Sequence, residues 1–71
     1  MSTQEPLEPG DCVIILHPEV EGERGRVLSV NSDPLAREPY NVLFENLGGF
    51  TAALFKRTDL NKVACTPDFP S

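Results

Sequence analysis

The residues of this 71-residue chain with types that could do chemistry are few: one histidine, two cysteines and three glutamates spaced by two. His17 borders Pro18 and has Glu19 two positions on. A general base needs a nucleophile to activate or a carboxylate to orient it, and loop neighbours of opposite polarity are common without either role. No catalytic residue is assigned, and the chain is expected not to be an enzyme. Cys12, His17 and Cys65 lack the CxxC or HxxxH spacing of a metal centre, so neither a metal nor a cofactor is expected. Gly22, Gly25, Gly48 and Gly49 are not followed by Lys-Ser/Thr and a helix, so they read as turn residues rather than a phosphate loop. Glu19, Glu21 and Glu23 form an acidic loop that either binds a basic partner or a hard cation, or is simply a solvated face.

Such residues need a scaffold, and the length allows only a small one. A chain of this size buries about 60% of its unfolded surface, so one core must suffice. Hydrophobic residues at 39% and charged residues at 24% fit an ordinary globular domain. Six Lys and Arg against eleven Asp and Glu give a net charge of −5. That charge repels phosphate backbones and makes nucleic acid an unfavoured partner. The first five residues hold no basic-then-apolar pattern, and no apolar run approaches the ~20 residues that span a bilayer. No membrane insertion is expected, and the expected setting is a reducing, cytoplasmic or stroma-like compartment. Two cysteines are not a disulfide framework. Cys12 reads as a small buried hydrophobe and Cys65 as a thiol that could be free. A bridge is nonetheless conceivable, because the first and fifth strands are neighbours in some small barrels.

The organising pair is the run 11–17, apolar from Cys12 to Leu16, and the glycine-led run 25–30. The first is bounded by Gly10 and Pro18, is rich in β-branched residues and does not alternate. It therefore reads as a strand covered on both faces, one by the core and the other by a tail or loop. In the second, Val27 and Val30 lie an odd number of positions apart, so either a bulge intervenes or Leu28 shares the core. Residues 40–45 form a third strand with Tyr40, Val42 and Phe44 on one side and Asn41, Leu43 and Glu45 on the other. A turn at 46–49 leads to a fourth strand at 50–55, since Gly48-Gly49 supplies the positive φ of tight hairpins. A 3₁₀ turn at 56–60 and a short fifth strand at 61–64 follow. Residues 1–9 read as a flexible lead-in and 65–71 as a frayed tail, although Leu7 is placed to dock on the barrel. The fold class is all-β: a five-stranded small barrel at 10–64 with a single 3₁₀ turn before the last strand. Its expected core is Val13, Ile15, Val27, Phe44, Leu54 and Leu60.

Gly10-Asp11-x-Val13-x-Ile15, followed by Gly22-x-x-Gly25-x-Val27-x-x-Val30, resembles the KOW-type segment of SH3-like barrels. The remainder is similar too, through Tyr40 to Glu45, the Gly-Gly turn and Thr58-Asp59-Leu60, so that the resemblance covers about residues 10–63. Val42-Leu43-Phe44-Glu45 and Phe55 to Leu60 look like the SH3-like accessory subunits of photosynthetic electron-transfer complexes in cyanobacteria and chloroplasts. These include subunit S of the photosynthetic NDH complex, photosystem I subunit IV and the variable chain of ferredoxin–thioredoxin reductase. This resemblance implies a non-catalytic subunit that stabilises a membrane-bound redox complex, at the cytosolic or stromal face of a thylakoid, or helps dock ferredoxin. The acidity departs from that picture, because ferredoxin is itself acidic. The KOW-type likeness implies the competing role of an RNA-binding module in a ribosomal or transcription complex.

Fold alone does not fix function. The reading is a protein–protein interaction module, and the resemblance to SH3-like barrels implies a binding surface between loops 17–24 and 31–39. The acidic loop Glu19, Glu21 and Glu23 would steer the partner, and Tyr40 and Phe50 would anchor it unless their rings are core. Arg26, Lys56 and Arg57, with Arg24 and Lys62, would supply a local positive face.

Overall fold

The computed structural model describes residues 6–70, and the expectations for 1–5 and for Ser71 lie outside them. The fold is all-β. Its strands are β1 (Cys12–Ile15), β2 (Arg24–Val30), β3 (Tyr40–Asn46), β4 (Gly49–Phe55) and β5 (Leu60–Val63). They form one antiparallel sheet in the order β4-β3-β2-β1-β5. Phe55 of β4 and Leu60 of β5 belong to the same buried cluster, so the two ends of the sheet curl around one interior.

That cluster follows from alternation. Val13 and Ile15 of β1 point inward, with Val27 of β2 and Tyr40, Val42 and Phe44 of β3. Phe44 meets Phe55 edge to face, their ring centroids 5.8 Å apart. Leu54 is a correction: it is 56% exposed. The register pairs Tyr40 with Phe55 and Asn41 with Leu54, so inward-facing Tyr40 takes Phe55 into the core and sends its neighbour outward. The bulge expected in β2 is present as a register shift between Val27 and Ser29, which leaves Leu28 on the surface.

The 3₁₀ turn before the last strand lies at Arg57–Asp59. A second, Pro18–Val20, lies within the acidic loop, and its Val20 packs against the core. His17 caps it, its Nδ1 accepting the Glu19 N–H at 3.3 Å. The β3–β4 turn is tighter than expected. It consists of Leu47 and Gly48 alone, both at positive φ (54° and 82°), with Gly49 already in β4.

Both ends of the described residues are held at specific points. Leu7, in the segment read as a flexible lead-in, is 3% exposed and belongs to the core, and its N–H donates to the Tyr40 hydroxyl at 3.3 Å. Tyr40→Phe is expected to leave that buried N–H without its acceptor and to lower stability by about 1–2 kcal/mol, measured by urea unfolding. An unchanged midpoint would show that the bond contributes nothing. At the other end Phe69 and Pro70 are buried, in a segment read as frayed.

Candidate functional site

The cysteine pair creates the surface of interest. Val63 pairs with Cys12 across β5 and β1, and Cys65 lies two residues further on, which returns its side chain to the same outward face. The two form a disulfide with Cα atoms 5.3 Å apart, within the usual range. This corrects the readings of Cys12 as an unpaired hydrophobe and Cys65 as a free thiol. The expected cover on the second face of β1, by a tail or a loop, is present at Cys12, which is 1% exposed, while Ile14 on that face is half-buried.

From Cys65 the chain runs back over the outside of the sheet. Arg26 sits on the outward face of β2, opposite Cys12 in the β1–β2 register. Its Nε donates to the Pro70 carbonyl at 2.5 Å, and another guanidinium nitrogen donates to the Gly10 carbonyl at 3.1 Å. Arg26 therefore ties the tail down from within the chain. Phe69 is buried outside the main core, under a local turn closed by its N–H donating to the Thr66 carbonyl at 3.1 Å.

Between this strap and the sheet lies an open groove of about 490 Å³. It is lined by Pro67 to Pro70 of the tail, by Glu45 and Phe50 of the β3–β4 hairpin, and by Gly22, Glu23 and Arg24. Phe50 is 65% exposed and pairs with Glu45 in register. Three carboxylates, Glu23, Glu45 and Asp68, face one guanidinium, Arg24, giving a local charge of −2. None of those carboxylates is in an ion pair among the described residues. Beyond the groove, Phe50, Ala52 and Leu54 share the outward face of β4. Beyond its ladder with β3, β4 makes no backbone hydrogen bond among the described residues, and it carries no charge and no proline. Edge strands of that kind are ready templates for an added strand.

The residues expected to bind a partner scatter over this surface. Glu23 and Phe50 line the groove, whereas Glu19 and Glu21 stay on the exposed loop outside it. Tyr40 is 6% exposed, so its ring belongs to the core and presents nothing to a partner. Lys56 is exposed at the start of the second 3₁₀ turn, and the Arg57 guanidinium donates to the Leu60 carbonyl at 2.6 Å. Lys62 pairs with Asp11 at 3.6 Å. Loop 31–39 folds on itself, with the Asn31 and Asp33 side chains accepting from the N–H groups of Asp33 and Leu35, and it does not line the groove. The tail, Glu45 and Arg24 take its place. No spacing rule singles these out, because strand pairing sets Arg24 beside Glu45 and a disulfide spanning 53 residues brings the tail to them.

The rings of His17 and Phe55 meet in a T-shaped arrangement with centroids 6.2 Å apart, and His17 serves as a cap. Among the described residues no three His, Cys, Asp or Glu gather where they could hold a metal ion. Nor is any described helix long and apolar enough to cross a membrane.

Comparison with protein-family models, with curated proteins and with solved structures gives no match in any of the three.

Proposed function

We propose that this chain is a non-catalytic protein–protein interaction module, and that its groove docks a cationic, extended segment of a larger protein. The observation that carries this reading is Phe50, held largely exposed beside three carboxylates without ion-pair partners. An aromatic ring in a concave site supplies the apolar anchor of an interface, while opposite charge steers the encounter. The open edge of β4 alongside offers backbone groups to the same extended segment.

Service as a small accessory subunit of a photosynthetic electron-transfer complex rests on the resemblance of Val42 to Glu45 and of Phe55 to Leu60 to the SH3-like subunits of such complexes. The acidic groove suits a basic surface of such a complex better than it suits acidic ferredoxin. The RNA-binding alternative draws on the KOW-type likeness and needs free cations. Arg26 and Lys62 are engaged within the chain, which leaves that alternative with less support.

A short synthetic peptide of alternating lysine and leucine is the probe. It is expected to bind by calorimetry, more weakly as salt rises. Phe50→Ala should weaken binding at least about tenfold, equivalent to roughly 1.4 kcal/mol. Equal affinity for wild type and the Phe50 variant would refute the groove as the site. Capture of single-stranded RNA with a steep salt dependence, and no peptide binding, would move the assignment to nucleic acid.

A further inference from the structure

We infer that the groove is redox-gated: closing the Cys12–Cys65 disulfide assembles it, and reducing that bond removes part of its lining. The functional consequence rests on the docking role proposed above, whereas the structural change does not. The strap from Thr66 to Pro70 is joined to the rest of the fold by few means. These are the covalent bond at Cys65, the Arg26 hydrogen bond to Pro70 and the burial of Phe69. None of these belongs to the main core, whose members all lie between Leu7 and Leu60. The β1–β5 ladder holds Cys12 against Val63 through backbone pairing and does not need the sulfur bridge. Opening the bridge therefore frees the strap and leaves the barrel standing.

The chemistry is thiol–disulfide exchange with a dithiol reductant. Cys65 is exposed while Cys12 is 1% exposed, so the incoming thiolate attacks at Cys65. The bond between the two sulfurs breaks, and Cys12 leaves as a thiolate that takes up a proton. The reductant's second thiolate then displaces Cys65, which is also protonated. Two electrons pass to the chain, and the reductant ends as a disulfide. Arg26, opposite Cys12 in register, places positive charge on the neighbouring strand as the Cys12 thiolate forms. With the strap free, Asp68 and the prolines leave the groove, Phe69 loses its cover, and Phe50 stands on an open strand face.

The 71-residue chain tests this by amide NMR with and without a dithiol, alongside binding of the lysine–leucine peptide. On reduction the amide of Phe69, which donates to the Thr66 carbonyl, should lose protection, the pairing-sensitive shifts of β1 to β5 should persist, and peptide affinity should fall at least about tenfold. Cys65→Ser in oxidising buffer should reproduce the reduced state, which separates loss of the bond from any effect of the reductant. A Phe69 amide unchanged on reduction, or loss of the whole sheet, would overturn the gate. An oxidised chain that binds no peptide would overturn the docking role alone, and the NMR comparison would then decide the gate by itself.

Discussion

Phe44→Ala is expected to cost about 3–5 kcal/mol. Phe44 is 3% exposed at the centre of β3, meets Phe55 edge to face and lies directly opposite Gly25 in the β2–β3 register. Truncation removes the ring from the one core this domain has and leaves a cavity that paired strands on both sides prevent from collapsing. Domains of this length have roughly 4–11 kcal/mol of total stability, so the loss takes much of it. Urea unfolding followed by far-UV circular dichroism measures it. A shift under about 1 kcal/mol would show that Phe44 does not sit at the centre of the packing.

The second large effect concerns the glycine opposite. A Cβ at Gly25 would lie 2.6 Å from Val42 Cγ1 and 3.2 Å from the Leu43 carbonyl oxygen. The first distance is impossible without movement, and both neighbours belong to a strand fixed on two sides. Gly25 has an ordinary strand backbone rather than a positive φ, so alanine meets no conformational barrier there. In open space the substitution would stabilise by about 0.4–1 kcal/mol, because alanine restricts the unfolded chain. Overpacking instead costs about 1–3 kcal/mol. The sign of the change is therefore the test: Gly25→Ala should destabilise. Combining it with Val42→Ala, which removes the clashing methyl, should cost less than the two single changes added together. Additive losses would place the cause elsewhere.

Much of the scaffold is legible in residue order. Gly10 and Pro18 bracket β1, and Tyr40-x-Val42-x-Phe44 alternates cleanly, because only one face of β3 meets the core. Of the two readings of Val27 and Val30 at odd spacing, the register contains the bulge, although Val30, expected to face inward, is 37% exposed and lies outside the core. Leu54 and Phe55 show where local reading stops. Two adjacent apolar residues are equivalent until pairing with Tyr40 selects one. Tyr40 and Phe50 separate for the same reason, since both are single aromatics near turns, and only inward or outward parity distinguishes anchor from core.

The candidate site lies at the opposite extreme. Asp68, Phe69 and the two prolines around them show no periodicity, and a short proline-bearing end reads as frayed. Their placement depends on bonds to residues distant in the chain, Cys65 to Cys12 and Pro70 to Arg26.

Sequence alone thus determined the all-β class, the five strands and most of the interior, because side-chain alternation and turn chemistry act over neighbouring residues. It also placed negative charge in the β1–β2 loop, where Glu23 lies. Only the tertiary structure decided that the C-terminal strap crosses the sheet and makes a groove with Phe50. Long-range pairing sets which distant residues share a face, and no local pattern encodes that choice.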